Sequence, residues 1–207
     1  MANTCVIVVR HGETTWNVEG RYQGQLDSPL TAIGLEQSHA LAARLQDREF
    51  SALYSSDLGR AARTAEIIGN HTSHAVVTNS ALRERHLGIF QGLLKSEIRQ
   101  KFADEYRLFK SAGAEYVVPG GESAAQASVR MIGGVEQLAR RHQGEHIVIV
   151  THGGVASALL RRTLGMPPGA PRRFERRNAS WNVFWFEDAK WFLETWGDTS
   201  HLRNCPS

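Results

Sequence analysis

Two histidines, each placed directly after a short apolar stretch, are the residues of this chain best suited to chemistry. Residues 6–9 lead into Arg10-His11-Gly12, and residues 147–150 lead into Thr151-His152-Gly153. Apolar runs of this length are typical of strands buried on both faces of a parallel sheet. Ligands of such sheets bind beyond the carboxyl ends of the strands. If the two strands are neighbours, both imidazoles meet over one crevice, where Arg10 adds a cation that suits an anionic ligand.

Two arginines and a glutamate follow other predicted strands. Arg60 and Arg63 lie in the first turns after a strand at 51–55, and Glu84 follows a strand at 75–78. A guanidinium fork matches two oxygens of a phosphate at once. Spacing alone does not choose between the two arginines. A single glutamate among arginines is most often part of a surface ion pair, so Glu84 is a candidate only because of its place at the same sheet edge.

Strand and helix patterns alternate along the chain, which predicts an α/β fold. Thr31 is expected to cap a helix that ends near Gln46, and a second helix is expected from Leu58 to Ile68, ending near Gly69-Asn70. Residues 13–30 are predicted to form a long polar loop. The expected inner face of the first helix is Ile33, Leu35, Ala42 and Leu45. We therefore predict a three-layer α/β/α fold with a mainly parallel central sheet.

Three later segments complete the predicted fold. The charged and aromatic segment from about 90 to 119, with helical spacing over 95–109, predicts a helical lid insertion above the strand ends. Helices are predicted at 122–142 and from Gly153 to about Leu164. Residues 181–186 and 190–196 predict a C-terminal edge hairpin. The whole chain, residues 1–207, is expected to be a single domain that carries this lid.

Composition and charge exclude several classes of protein. The chain has 207 residues, a net charge of +3 and 42% hydrophobic residues, which is ordinary for one globular domain. Its mild basicity suits anionic small molecules and predicts no nucleic-acid partner. Neither a signal peptide nor a membrane span is evident, so we expect a cytoplasmic protein without a membrane partner. The two cysteines, Cys5 and Cys205, make neither a disulfide framework nor metal-ligand spacing.

Several short motifs, taken in order, resemble the histidine phosphatase superfamily, which includes the cofactor-dependent phosphoglycerate mutases. The resemblance covers nearly the whole chain. Its motifs are Arg10-His11-Gly12-Glu13-Thr14-Thr15-Trp16-Asn17, Gln23-Gly24, Ser56-Asp57-Leu58-Gly59-Arg60-Ala61, Leu82-Arg83-Glu84, Gly120-Gly121-Glu122-Ser123 and Thr151-His152-Gly153-Gly154. Each piece alone is weak, but the ordered set is highly specific. It also selects Arg60 over Arg63.

The resemblance implies a metal-independent phosphatase that acts on a small phosphorylated metabolite. His11 would attack phosphorus and form a phosphohistidine, while Glu84 would protonate the leaving oxygen and then activate water. The charge on the phosphoryl oxygens would be held by Arg10, Arg60 and His152. Substrate contacts would come from Asn17, Gln23, Gly24 and Gly153. Arginines and histidines already supply the positive charge, so neither a metal nor another cofactor is expected.

The alternative within the family is a phosphoglycerate mutase, an isomerase with the same first half-reaction. Glu84-Arg85-His86-Leu87-Gly88 favours it. Against it, only 24 residues separate Lys95 from Gly120, too few for the longer insertion with paired arginines that mutases carry. Gly153-Gly154-Val155 also lacks the asparagine of the mutase pattern. A phosphate-binding protein without catalysis is less consistent with the chain, because binding alone needs neither a nucleophile nor an acid.

Other candidate residues are assigned structural roles. His71 and His74 lie in a polar loop without a third ligand nearby, so no zinc site is expected there. Three arginine pairs, at 161–162, 172–173 and 176–177, are followed by Trp181 and Trp185, and these residues are interpreted as a solvated helix face and a hairpin core rather than a nucleic-acid surface. His201 either folds back towards the site or belongs to a frayed end. The substrate and the oligomeric state, a homodimer included, stay open.

Overall fold

The architecture is a six-stranded mixed sheet covered by helices on both faces, seen here in a computed structural model that describes residues 3–203 and 205. The strands follow the order β3-β2-β4-β1-β5-β6 across the sheet. Their bounds are β1 Thr4–Arg10, β2 Ala52–Ser55, β3 Val76–Thr78, β4 His146–Thr151, β5 Trp181–Glu187 and β6 Lys190–Asp198. The first four strands are parallel, and β5 and β6 form the antiparallel hairpin at one edge. This confirms the predicted α/β fold with its C-terminal hairpin.

The two predicted histidine-bearing strands are neighbours. Strand β1 pairs with β4 in parallel register, so that Val9 lies opposite Val150 and Arg10 lies opposite Thr151. Both strands are buried on both faces, which explains why they contain runs of β-branched residues rather than an alternating pattern. The register places His11 and His152 one residue beyond the ends of adjacent strands.

Seven α-helices lie among the described residues. Their bounds are α1 Thr15–Glu19, α2 Ala32–Gln46, α3 Gly59–Thr72, α4 Lys95–Lys101, α5 Ala103–Ser111, α6 Ala124–Arg141 and α7 Gly153–Thr163. Three of them begin at side-chain caps, in which Thr14, Thr31 and Ser123 each accept a hydrogen bond from the backbone N–H three residues later. No helix in the described ranges combines the length and apolar character needed to span a bilayer.

Two hydrophobic clusters lie on opposite faces of the sheet. One combines Val6 and Val8 of β1 with the inner faces of α6 and α7, and the other combines Ile7 and Val9 with α2 and α3. The chain therefore leaves β1 towards one face and leaves β4 towards the other. Such a reversal between adjacent parallel strands opens a crevice at their carboxyl ends. This confirms the three-layer arrangement and locates the crevice between His11 and His152.

The predicted lid segment forms a third, smaller cluster. Phe90, Ile98, Tyr106 and Val118 are its buried residues, with further aromatic side chains packed around them. The prediction of continuous helical spacing over 95–109 is wrong in one respect. Phe102 adopts φ −140° and ψ 52°, which separates α4 from α5. The break lets both helices pack around the Phe90 ring instead of projecting as one rod.

Three local expectations are corrected by the structure. The 13–30 loop contains α1, whose N-terminus is capped by reciprocal hydrogen bonds between Thr14 and Asn17. Leu35 is exposed, because α2 turns Gly34 inward, where a Cβ would lie 2.0 Å from the Glu13 carbonyl oxygen. Helix α3 continues past Gly69 to Thr72. Gly69 lets the helix pack closely against the His74 carbonyl, and Ser73, at φ 58°, ends the helix.

Candidate functional site

The nucleophile candidate, His11, is held as a neutral imidazole. Its Nδ1 lies 2.7 Å from the carbonyl oxygen of Gly12, an acceptor only, so Nδ1 carries the proton and donates it. The lone pair of Nε2 is therefore free. The side chain is 3% exposed, and burial together with the nearby Arg10 and Arg60 holds its pKa well below 6.5. At neutral pH this ring can act as a nucleophile without first losing a proton.

His152 lies beside His11, with ring centroids 5.3 Å apart. Its Nε2 lies 2.8 Å from the Ser56 hydroxyl, which itself accepts a hydrogen bond from the Leu58 N–H. Among the described residues the Ser56 hydroxyl has no other acceptor, so it donates to Nε2 and the imidazole proton sits on Nδ1. Burial, followed by the charge of Arg60, holds the pKa of His152 well below 6.5. The buried Nδ1–H has no partner in the described protein, so it is a free donor beside His11.

Arg60 is fixed by acceptors on its outer side. Its Nη1 donates to the Leu26 carbonyl and to Asp27, and its Nη2 donates to the Gly24 carbonyl. Asp27 also accepts from the Arg60 backbone N–H, an approach that requires glycine at position 59, because a Cβ there would lie 2.3 Å from Asp27 Oδ2. The buried Nε–H of Arg60 has no partner in the described protein. Its anchors thus leave two donors for an anion, the Nε–H and the second N–H of Nη2.

Arg10 follows the same pattern. One terminal nitrogen donates to the Arg176 carbonyl, and its buried Nε–H has no partner in the part of the chain that the structure describes. Burial, together with the nearby Arg176 cation, lowers its pKa to about 10. Arg10 therefore stays protonated at neutral pH. Three buried donors without acceptors in the described protein, from Arg10, Arg60 and His152, thus lie near the His11 side chain.

The carboxylate of Glu84 rests on the first turn of α7. Oε2 accepts from the Gly154 N–H, and Oε1 accepts from the Arg85 N–H, each at 2.8 Å. A Cβ on residue 154 would lie 1.8 Å from Oε1, so only glycine leaves room for the carboxylate in this position. Each oxygen keeps a further lone pair for a proton or a water molecule. The group can therefore exchange protons with a bound substrate.

An amide network supports the first loop of the site. Asn178 donates from Nδ2 to the carbonyls of His11 and Gly12 and to Oδ1 of Asn17. Because Oδ1 of Asn17 accepts this hydrogen bond, the Nδ2 group of Asn17 is the part of the amide that can donate to a ligand. Gln23 donates to Thr14 and keeps a buried Oε1 without a partner among the described residues. Sequence analysis missed Asn178, whose only signal is its place just before β5.

A single cavity of about 830 Å³ brings the predicted residues together. His152 borders it through the His11 ring. The other eight predicted site residues line it directly: Arg10, His11, Asn17, Gln23, Gly24, Arg60, Glu84 and Gly153. Gly24 contributes its carbonyl to hold Arg60, a role that the sequence did not suggest. Phe109 of α5 lies in the cavity wall, so the predicted lid segment reaches the site.

Arg172 and Arg176 are solvent-exposed, as the interpretation of the arginine pairs expected, but that interpretation missed that one member of each pair also lines the cavity. Arg161, Arg172 and Arg176 line the cavity. Their neighbours point elsewhere, since Arg162 approaches Glu136 and Arg177 pairs with Glu175. Adjacent residues of a helix or loop face different sides, and which side is the cavity depends on the tertiary packing. Sequence adjacency therefore concealed three cavity-lining cations.

The remaining candidates lie outside the cavity. His201 contacts Arg44 of α2 and the carbonyl of Ala179, and burial lowers its pKa to about 4. Its role is to pack the C-terminal turn on α2. His71 and His74 bond separately to the carbonyls of Ile67 and Phe50. Within residues 3–203 and 205, no group of three His, Cys, Asp or Glu side chains converges as metal ligands.

The fold and the paired histidines define a class of protein. The model of the histidine phosphatase superfamily (branch 1) matches residues 6–199, so the chain belongs to this superfamily. This confirms the family resemblance of the sequence motifs. Its membership of this family, together with its phosphatase relatives, identifies the protein as a phosphomonoester hydrolase.

Individual relatives are similar over nearly the full chain. A metal-independent phosphoserine phosphatase of Arabidopsis thaliana is 43% identical over 97% of this chain and 84% of its own length. Phosphoglycerate mutase-like protein 4 of the same plant is 41% identical over 96% of this chain and 86% of its own length. Among solved structures, Bacillus stearothermophilus YhfR superposes with a TM-score of 0.88, at 33% identity, covering 97% of this chain and all of that one.

Proposed function

We propose that the protein hydrolyses small phosphomonoesters without a metal, through a phosphohistidine formed on His11. One observation carries this proposal. Three buried donors that have no acceptor in the described protein, Arg10 Nε–H, Arg60 Nε–H and His152 Nδ1–H, belong to side chains near a neutral imidazole whose Nε2 carries no proton. A phosphoryl group supplies three non-bridging oxygens and an electrophilic phosphorus, which match this arrangement.

The first half-reaction transfers the phosphoryl group to His11. Nε2 forms a bond to phosphorus while the bond from phosphorus to the ester oxygen breaks on the opposite side. Glu84, in its protonated form, gives that proton to the departing oxygen, so the product leaves as an alcohol. Arg10, Arg60 and His152 stabilise the charge on the three equatorial oxygens. The hydrogen bond from Nδ1 to the Gly12 carbonyl stabilises the positive charge that the His11 ring acquires.

The second half-reaction releases phosphate. Glu84, now a carboxylate, takes a proton from a water molecule whose oxygen attacks phosphorus, and the bond between phosphorus and Nε2 breaks. His11 returns to its neutral form and Glu84 to its protonated form. Arginine and histidine side chains balance the negative charge of the phosphoryl group in both half-reactions. Prolonged dialysis against EDTA should therefore leave the rate within assay error. A loss of activity that zinc or magnesium restores would contradict the metal-free reaction.

Rapid quenching tests the covalent step. Wild-type protein mixed with ³²P-labelled substrate should yield a protein-bound phosphoryl group that is stable to base and labile to acid. His11→Ala should lose both this label and turnover. Arg60→Ala should keep the label and lose roughly 10²–10³ in rate, because it removes one charge contact. Greater residual activity in His11→Ala than in Arg60→Ala would overturn the assignment of the nucleophile.

We further propose that residues 1–207 form one domain with a helical lid at about 90–119, and that the protein works in the cytoplasm on a small phosphorylated metabolite. The family match over residues 6–199 supports the first point, and the reach of Phe109 into the cavity supports the lid. Cys5 and Cys205 are both free thiols, as is usual in a reducing compartment. Limited proteolysis tests the single domain with its lid, and fractionation of cells tests the location in the cytoplasm.

A further inference from the structure

Three arginines form one side of the cavity, and we call this set the arginine wall: Arg161, Arg172 and Arg176. Arg161 comes from α7, and the other two come from the segment that joins α7 to β5. Seven arginines but only one carboxylate, Glu84, line the cavity in the described chain. The phosphoryl-binding donors use only two of those arginines. The remaining positive charge must therefore serve another part of the ligand or be balanced by the protein.

The protein offsets the charge of the wall only in part, through Glu84, whose negative charge raises the pKa of Arg176. Within the described residues no carboxylate forms an ion pair with any of its three guanidiniums, whereas the outward-facing Arg162 and Arg177 each have a glutamate partner. The three cations instead act on one another. Burial lowers the pKa of Arg161 and of Arg176. Arg172 lowers both pKa values further, and Arg161 lowers that of Arg176, against the opposing effect of Glu84. An anion between them would relieve this repulsion.

The wall is also held in place before any ligand arrives. The Arg161 guanidinium lies over the Phe174 ring, 5.4 Å from its centroid. Nη1 of Arg172 donates to the Phe174 carbonyl at 3.2 Å. Each contact engages one part of the guanidinium and leaves other N–H groups free. Preorganised forks of this kind bind a carboxylate or a phosphate through two parallel hydrogen bonds.

The wall begins next to the phosphoryl-binding donors. A Cβ placed on Gly153 would lie 3.2 Å from Cδ of Arg176 and 3.5 Å from Nε of Arg10, so these two arginines flank the same glycine. A phosphoryl group fills only a small part of a cavity of about 830 Å³. The leaving group of the substrate must occupy space outside the phosphoryl position, and the wall lines that space.

We propose that the arginine wall binds a second anionic group, a carboxylate or a phosphate, on the leaving group of the substrate. This inference rests on the proposed function, since it assigns the substrate class of the same site. The preferred substrates are then phosphomonoesters of acids. Esters of neutral alcohols react more slowly, and those with a cationic leaving group react least well.

Matched pairs of substrates test the wall. 3-Phosphoglycerate and glycerol 3-phosphate differ only in a carboxylate against a hydroxymethyl group. Propane-1,3-diyl bisphosphate and 3-hydroxypropyl phosphate provide the phosphate arm. The wild-type kcat/KM should be roughly tenfold to hundredfold higher for the acidic member of at least one pair, the range expected for a charge-assisted bidentate contact. The pair that shows the larger ratio identifies the anion. Ratios near one in both pairs would overturn the proposal.

Variants of the wall then locate the effect. Arg161→Gln and Arg172→Gln should lower kcat/KM about tenfold on the acidic member and leave p-nitrophenyl phosphate nearly unchanged, which also shows that the variants fold. Arg162→Gln and Arg173→Gln are the controls, because these neighbours do not line the cavity, and they should change neither rate. Equal losses on acidic and neutral members would mean that the wall acts on the transferred phosphoryl group and would contradict the inference.

Binding separates this inference from the proposed reaction. Calorimetric titration of His11→Gln with 3-phosphoglycerate and with glycerol 3-phosphate measures the preference without turnover. Tighter binding of the acid, lost in Arg172→Gln, supports the wall even if no phosphohistidine is found. Turnover that depends on His11 but shows no preference in rate or binding would instead retain the proposed function and reject the wall.

Discussion

The Ser56 hydroxyl lies 2.8 Å from Nε2 of His152, and this hydrogen bond determines which nitrogen of His152 faces the reaction. The two residues are 96 positions apart and meet because β2 and β4 are adjacent parallel strands. With Nε2 accepting from Ser56, the proton stays on Nδ1, where it can be donated to a phosphoryl oxygen. Ser56 is thus a positioning residue that acts through His152.

Removing this hydroxyl should weaken catalysis through the tautomer of His152. Ser56→Ala should lower kcat roughly tenfold, less than the 10²–10³ expected for losing a whole donor, because part of the population keeps the reactive tautomer. Imidazole ¹⁵N shifts should report Nδ1 protonation in wild type and a mixture in the variant. Ser55→Ala removes a neighbouring buried hydroxyl that bonds only to backbone, and it should leave the His152 shifts unchanged. Unaltered shifts in Ser56→Ala would contradict the positioning role.

The packing of Glu84 against Gly154 leads to a second prediction. Gly154→Ala places a Cβ where Oε1 of Glu84 lies, and the flexible carboxylate moves rather than the backbone. Hydrolysis of alkyl phosphates, whose poor leaving groups need a proton, should fall by about 10²–10⁴, the usual range for general acid catalysis. Loss on p-nitrophenyl phosphate should be smaller.

Two further variants make this prediction sharp. Glu84→Gln should reproduce the same dependence on the leaving group, since the amide cannot donate as an acid. Gly133→Ala, in the middle of α6 where a Cβ meets nothing within 4 Å, should leave both rates unchanged and stabilise the fold slightly. If Gly154→Ala lowered the hydrolysis rates of alkyl phosphates and of p-nitrophenyl phosphate equally, Glu84 would not be the group that protonates the leaving oxygen.

The buried histidines predict acid sensitivity of the fold. His11 and His152 have pKa values held well below 6.5, chiefly by burial, whereas in the unfolded chain they titrate near 6.5. Below pH 6.5 the unfolded chain therefore binds protons that the folded chain does not. The free energy of unfolding should fall by up to about 1.4 kcal/mol per pH unit for each histidine, and their contribution to the slope should fade out about one pH unit above 6.5.

Urea unfolding between pH 7.5 and 5.5 measures this slope. His152→Gln removes one of the two titrating groups, so its slope below pH 6.5 should be smaller than that of wild type by up to about 1.4 kcal/mol per pH unit. Other titrating groups are common to both proteins and cancel in the comparison. Identical slopes would mean that His152 is protonated in the folded state.

Phosphatase activity should exceed mutase activity. The short lid segment lacks the paired arginines of the mutase pattern, although the arginine wall places other cations in the cavity. A mutase must keep water away while its bisphosphorylated intermediate reorients. We expect phosphate release from 3-phosphoglycerate and little interconversion of 2- and 3-phosphoglycerate, even after priming with the bisphosphate. The two rates can be followed together by ³¹P NMR. If the interconversion of the two phosphoglycerates were faster than phosphate release from every ester tried, this assignment would be reversed.

The sequence by itself determined the strand ends that carry the site. Runs of β-branched residues at 6–9 and 147–150 are typical of buried strands, and the His-Gly that follows each one predicts an imidazole at the sheet edge. The ordered motifs then identified the superfamily and selected Arg60. These signals are local, so that a few adjacent residues suffice to recognise them.

Only the tertiary structure decided which further groups join the site. Ser56 reaches His152 and Gly154 makes room for Glu84 across 96 and 70 positions of the chain, and neither contact leaves a local pattern. The same holds for the arginine pairs, in which one member enters the cavity while its neighbour meets a surface glutamate or solvent. Side chains in a loop acquire a direction only when the loop packs. The tautomers, the free donors and the charge of the cavity therefore follow from long-range packing.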